Sequence, residues 1–408
     1  MHAWKFLLTA PHLFAALAWL IAIAWLSRIV QALVMLPRVP DLLRPEYAAA
    51  SEPTPWPSLA VVVPARNEAK AITATLQNLL AGDYPHLQII AVDDRSTDAT
   101  GTLMESVAAQ PNAKDGKLRV LHVSELPEGW LGKPHAMALA VQATQADWLL
   151  FTDADVLFTP NVFRRAIAFA EKSRADHLVV YPTLILKGIG EHLFLAFFQS
   201  FSVWAGRAWK IPDPRAKRDF IGVGAFNLMR RSVYDALGGY ESFRMEVLED
   251  MCMGQRIKQS GYRQRVAFGR DMVRVRWAES AMGIVENLTK NMFAAFRFRI
   301  SFLLAVCVGV VLLCLTPFVA LFVPGHAFPF AACWAGVATF IALLLLNLRY
   351  WPHTRISPWY LVFFPVGTLL FLYAMLRSMT LTLWRGGVIW RGTLYPLAEL
   401  RRHAGRLE

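Results

Sequence analysis

Apolar positions follow two different rules along this chain. An uncharged stretch runs from Phe6 to Ser27, with "LFAALAWLIAIAWL" at its centre, and three more follow at residues 302–323, 328–347 and 359–376. Each approaches the ~20 residues that a bilayer-spanning helix needs. Between Leu59 and Trp277 the pattern is shorter and more varied. "LAVVVPARNE" opens with a β-branched run suited to a buried parallel strand, and Ile72, Leu76, Leu79 and Leu80 then recur at helix spacing. "LQIIAVDD", "KLRVLHV" and "DWLLF" read as further strands, with "PHAMALAVQATQ" as a helix among them. Strands alternating with helices predict an α/β layer built on a mostly parallel sheet.

Composition explains the contrast. Of 408 residues, 55% are hydrophobic and only 18% are charged, and the apolar excess sits in the long runs. A membrane protein with one substantial water-soluble domain fits. Lys5 precedes the first apolar run, as it would in a signal peptide, but the run is long for one and no small-residue cleavage site precedes Arg28, so an anchor is expected. Pro53, Pro55 and Pro57 mark an extended link out of it. The net charge of +12 comes without a nucleic-acid-binding motif, so attraction to anionic lipid head groups is the simpler account and no nucleic-acid partner is expected. Cys252, Cys307, Cys314 and Cys333 lack metal-ligand spacing and read as small hydrophobes.

Chemistry collects where strands end. "LQIIAVDD" finishes in Asp93 and Asp94, and "LLFTDADV" runs into Asp153 and Asp155 with one residue between them. In open α/β sheets ligands sit outside the carboxyl ends of strands. Carboxylates so close repel one another and are costly to desolvate. Mg²⁺ or Mn²⁺ would relieve that repulsion, since these hard ions take carboxylate oxygens and complete their shells with water and substrate phosphates. A solvated turn is the structural alternative for this pair.

The ordered motifs "VVVPARNE", "AVDDRSTDAT", "GWLGKPHAMA", "FTDADV", "GVGAFNLMRRSVYDALGG" and "LEDMCMGQRIK" resemble the catalytic domain of family 2 glycosyltransferases, and the flanking apolar runs resemble its membrane-integrated members. The resemblance implies an α/β GT-A fold, a nucleotide-sugar donor, Mn²⁺ or Mg²⁺, and inversion at the anomeric carbon. Carried over by motif, Pro64, Arg66, Asn67 and Glu68 would surround the nucleotide, and Asp94 would contact uracil or ribose with Asp93 beside it. Lys133 would meet the donor phosphates, Asp155 the metal, and Asp153 the metal and the donor sugar. Gly222 and Gly224 would let backbone approach the donor, and Asp250, next to Glu249, would be the general base.

The aromatic stretch Glu191 to Lys210 reads either as core packing or as an interfacial helix, in which Phe197, Phe198 and Trp204 would face the membrane and a lipid acceptor. "VIWRGTLYPL" resembles the tail of lipid glycosyltransferases of hopanoid, carotenoid and ceramide type, which would bring Trp390 and Arg391 to the acceptor side. The expected organisation is an anchor and linker over 1–50, a GT-A domain over 51–285, an interfacial helix over 286–301, a membrane region over 302–376 and a basic cytoplasmic tail over 377–408. Transfer of one sugar from a UDP-sugar to a lipid at a bacterial inner membrane is the implied activity. The alternatives are a processive polysaccharide synthase, a polyprenyl-phosphate glycosyltransferase, or a catalytically dead scaffold. A chain-extending synthase would carry Q-x-x-R-W, and "VRVRW" has Val273 at the glutamine position. Pro365 and Gly367 interrupt the last apolar run, and Arg385, Arg391, Arg401, Arg402 and Arg406 follow it, so that run is expected to return to its own face or lie along the interface.

Overall fold

A computed structural model describes residues 10–48, 55–113, 116–322 and 330–404. Phe6, Pro53, the uncharged link 324–327, Arg406 and Glu408 lie outside the described residues. Two compact units share the chain. The first takes Val39–Ile185, Ala208–Trp277 and the tail from Arg385; the second takes the start of the chain to Arg38, Leu186–Arg207 and Ala278–Trp384.

The first unit is α/β. Its strands are β1 (Leu59–Ala65), β2 (Leu87–Asp94), β3 (Leu118–Val123), β4 (Trp148–Phe151), β5 (Leu157–Phe158), β6 (His177–Tyr181), β7 (Thr183–Leu184), β8 (Asn227–Arg230), β9 (Gln264–Phe268), β10 (Val273–Val275), β11 (Gly387–Trp390) and β12 (Thr393–Pro396). Seven make one sheet in the order β3-β2-β1-β4-β8-β6-β9. Only β8 runs against its neighbours. Every residue of β1 and β4 is buried, which is why their sequences are continuous apolar runs with no alternation. Val61, Ile89 and Leu150 pack with Leu76, Leu79 and Phe163 on one face. Val62, Ile90 and Leu149 pack with Met137, Met253 and Ile257 on the other. The mostly parallel α/β layer expected from the strand–helix alternation is therefore present. "VRVRW" begins as β10, paired with β5 and β7, so Val273 is a buried sheet position.

The second unit is helical. Among the described residues four helices are long and apolar enough to cross a membrane: His12–Arg38, Ile300–Phe322, Ala331–Thr354 and Pro358–Arg385. Ala18, Ala22, Ala320, Ala332 and Ala335 form a buried cluster of small side chains, which lets apolar helices approach closely. Trp25 Nε1 donates to the Leu313 carbonyl, 2.9 Å away, inside a π-helical turn at Val311–Leu315. Asn347 Nδ2, fully buried, donates to Ser200 Oγ at 3.0 Å and to the Leu343 carbonyl at 2.8 Å.

Three expectations change here. The last apolar run is not interrupted at its centre, because the α-helix starts only at Phe364 and continues to Arg385. Pro365 falls in its first turn, where the missing N–H costs nothing. Gly367 faces Phe197, and a methyl there would stand 2.4 Å from the Phe197 Cβ. Phe197 itself does not face a membrane. It is fully buried, with ring centroids 5.1 Å from Phe364 and 5.6 Å from Phe371, so core packing is its role. The segment expected as an interfacial helix over 286–301 begins earlier, as Ala281–Ala295, capped by Ser280 Oγ, which accepts from Gly283 N. Phe198 is half-buried and stacks on Phe194 at 6.0 Å, and Trp204 packs 6.3 Å from Trp25.

Candidate active site

The carboxyl ends of β1, β2 and β4 lie side by side, since Ala65 pairs with Asp93 and Val62 with Phe151. Beyond β4 the chain turns. Thr152 N donates to the Val62 carbonyl at 3.1 Å and Thr152 Oγ1 to the Ala225 carbonyl at 2.8 Å, which fixes the base of the Asp153–Asp155 loop against the segment Gly222–Phe226. Gly224 is required there, because a Cβ would stand 2.6 Å from Asp153 Oδ2.

Lys133 joins two parts of the site. Its Nζ lies 2.8 Å from Asp153 Oδ1 and 2.7 Å from Glu249 Oε1. Burial opposes the charge on Lys133, but Asp153, Glu249 and Asp250 outweigh it and hold the ammonium well above its usual range. The sequence expectation had Lys133 on the donor phosphates. In the structure it is already engaged by carboxylates from the Asp-x-Asp loop and from the first turn of the helix Glu249–Gln259.

Asp250 begins the same helix. Burial and the neighbouring Glu249 push its carboxyl up to about 6, against the lowering effect of Lys133. The helix is set tightly on the segment before Gly224: a methyl on Gly222 would meet the Asp250 carbonyl oxygen at 1.9 Å, and one on Gly254 the Ile221 carbonyl oxygen at 2.0 Å. Gln264 fastens this contact, accepting from Ile221 N at 3.0 Å and donating to the Ile221 carbonyl at 3.0 Å. Its amide also reaches Nδ1 of His177 at 2.8 Å, and burial lowers that imidazole to about 4, so it is neutral and can accept. Neither Gln264 nor His177 belongs to a motif that the sequence singled out.

Asp155 follows Asp153 in the same loop. Loss of solvent around it, with the charges of Asp153 and Glu68, pushes its carboxyl up to about 7. A cation beside it would lower that value. Among the described residues no three His, Cys, Asp or Glu side chains form a metal cage, so an ion here would take one or two carboxylates and complete its shell with water and phosphate oxygens. The donor set fits Mg²⁺ or Mn²⁺.

The residues after β1 and β2 separate into two groups. Pro64, Arg66, Asp94, Gly132 and Lys133 line one cleft of about 320 Å³, together with Ala65 and with Trp390, Arg391 and Tyr395 from the tail. Asp94 is buried and held by Arg95 at 2.7 and 3.1 Å, an ion pair the sequence did not suggest. Glu68 pairs with Arg391 at 2.8 Å. Asn67 and Asp93 do other work. Asn67 takes a left-handed φ of 57° and its Oδ1 accepts from Thr97 N at 2.8 Å. Asp93 accepts from Ser96 N and lies 3.3 Å from His122, so its carboxylate holds the loop after β2 and does not line the cleft. Trp390 and Arg391, expected on the acceptor side, lie among the residues expected to bind nucleotide.

A mostly parallel α/β sheet with an acidic pair after a central strand, tied by Lys133 to the helix Glu249–Gln259, fits the GT-A fold. Residues 60–238 match the family described as Glycosyl transferase family 2, and through this domain the chain is a glycosyltransferase. It is 26% identical over 276 residues, covering 66% of this chain and 70% of the relative, to a 4,4'-diaponeurosporenoate glycosyltransferase of Staphylococcus aureus. The enzyme of the same name from Staphylococcus haemolyticus is 24% identical over 240 residues, with coverages of 58% and 61%. Among solved structures, a mannosyltransferase from Pyrobaculum calidifontis, in complex with GDP-Man and Mn²⁺, aligns with a TM-score of 0.48 at 18% identity, covering 91% of this chain and 99% of that one.

Lys133→Met tests the junction. Stranding one partner of a buried ion pair costs roughly 3–5 kcal/mol, and here the cost falls mainly on Glu249, the more buried carboxylate. Thermal melts should show a lower Tm for Lys133→Met and partial recovery in Lys133→Met with Glu249→Gln. Strictly additive losses would mean that the two side chains do not interact.

Proposed function

We propose that this glycosyltransferase moves one sugar, with inversion, from a nucleotide-diphosphate sugar, a UDP-sugar in this reading, to the hydroxyl or carboxyl oxygen of a lipid at a membrane surface. The observation that carries the proposal is the Lys133 junction. It puts the Asp-x-Asp loop, suited to a metal–diphosphate complex, beside a buried carboxylate able to act as a base. Asp250 takes the proton from an acceptor hydroxyl while that oxygen bonds to the anomeric carbon. The bond from that carbon to the diphosphate breaks on the opposite face, and the nucleoside diphosphate leaves with the electron pair. A divalent ion at Asp155 and Asp153 would supply charge neutralisation to the leaving diphosphate.

The acceptor class draws support from relatives named for 4,4'-diaponeurosporenoate and from the helical unit. Phe322, Trp334, Trp359 and Trp384 are among many large apolar side chains it leaves exposed, an arrangement suited to lipid. Residues from Arg385 onward belong to the catalytic unit, and in this reading the stretch between Trp277 and Arg385 crosses a bilayer an even number of times. Phe364–Arg385 is the helix that does not cross in this reading. It packs against Ile189–Ala205, whose two ends both lead directly into the catalytic unit. The basic residues of the catalytic unit and tail favour the cytoplasmic face of a bacterial inner membrane.

Two measurements bear on this reading. With Asp250 raised to about 6, kcat should climb as pH rises through that value and the base loses its proton, then level off. Asp250→Asn should keep nucleotide binding, lose ~10²–10⁴-fold in transfer and lose the acid limb of the profile. Near-normal turnover would remove Asp250 from the mechanism. For topology, Arg401→Cys in a chain without native cysteines should be labelled only after the inner face is opened. Labelling of intact cells from outside would require an odd number of crossings or the opposite orientation.

A further inference from the structure

The tail hairpin is more than a strap. Strands β11 and β12 pair from Gly387–Pro396 to Trp390–Thr393, which leaves a two-residue turn at Arg391 and Gly392. Their φ angles are 48° and 81°, the doubly left-handed arrangement that favours Asn-Gly or Gly-Gly. Arginine is a poor choice for the first of these positions on backbone grounds. Its side chain supplies the compensation. Nη1 donates to the Arg66 carbonyl at 3.1 Å and Nη2 to Glu68 Oε1 at 2.8 Å.

The rest of the hairpin closes on the same cleft. Arg66 Nη1 donates to Thr393 Oγ1 at 3.1 Å, and Gly132 N, at the start of a helix, donates to the Tyr395 hydroxyl at 3.2 Å. Trp390, 7% exposed, lines the cleft together with Pro64. The charges inside it are unequal in availability. Lys133 is engaged by two carboxylates, whereas Arg66 Nε is buried without a hydrogen-bond partner among the described residues. Two guanidinium groups and one indole thus border the cleft, with Asp94, held by Arg95, and Tyr395 beside them.

Resting on the glycosyltransferase reading above, we propose that this hairpin belongs to the donor site: Arg391, with Arg66, binds the phosphates of a nucleoside diphosphate, and Trp390 forms the wall against its base. Guanidinium groups match phosphate geometry in bidentate fashion, and an indole offers a stacking face to any base. The strained arginine in the turn is retained for the ligand. An asparagine would serve the backbone better.

Calorimetry of the full chain in detergent with Mn²⁺, titrated with UDP, GDP, ADP and dTDP in turn, tests this. Arg391→Asn suits the turn, so Tm should hold or rise while the Kd of whichever nucleotide binds the unaltered chain rises tenfold or more. Trp390→Phe, which keeps the buried face filled, should weaken the same nucleotide several-fold. Unchanged Kd values in both variants would make the hairpin purely structural and overturn the proposal. An unaltered chain that binds none of the four would remove the donor reading itself, a distinguishable failure.

Discussion

Asp153 and Glu249, far apart in sequence, share one ammonium group. Lys133 Nζ stands 2.8 Å from one and 2.7 Å from the other, at the point where the sheet, the helix Gly132–Gln142 and the helix Glu249–Gln259 converge. Most of the site depends on this constraint. Glu68, Asp153, Asp155, Glu249 and Asp250 lie close enough to feel one another's charge, and such a set repels itself unless cations are distributed through it. Lys133 pairs with Asp153 and Glu249 and Arg391 with Glu68, while burial and the charges of Asp153 and Glu68 push the Asp155 carboxyl up to about 7.

Much of this was legible in the chain. Buried parallel strands read as continuous apolar runs, so β1, β2 and β4 announced themselves, and the acidic residues at their ends had to lie at the ligand-binding edge. What stayed hidden depended on distant pairing. Nothing near Lys133 indicates that Glu249 will face it. Asp93 and Asp94 look equivalent in sequence, yet the alternation of a strand sends one to His122 and the other into the cleft beside Arg95. Gln264 and His177 carry no local signal, since a buried polar pair inside β9 and β6 is defined only once those strands are neighbours.

The apolar part of the chain was legible in amount and less so in arrangement. Long uncharged runs correctly marked helices suited to lipid. Hydropathy does not distinguish an aromatic facing lipid from one packed on another helix, and Phe197 is of the second kind. Pro365 misled for a similar reason. A proline within an apolar run suggests a break, but in the first turn of a helix it sets the start. The tail gave its position away through Trp390 and Arg391, although the cleft they line is that of the nucleotide-side residues.

We propose that Asp155, with Asp153 beside it, holds a divalent ion together with the donor diphosphate. Anomalous diffraction at the manganese edge, from crystals grown with Mn²⁺ and the nucleoside diphosphate that binds best, addresses it directly. The account predicts one strong peak within about 2–2.5 Å of an Asp155 carboxylate oxygen, bridged to phosphate oxygens. Nucleotide bound with no peak there, or a peak at a different set of side chains, would contradict it.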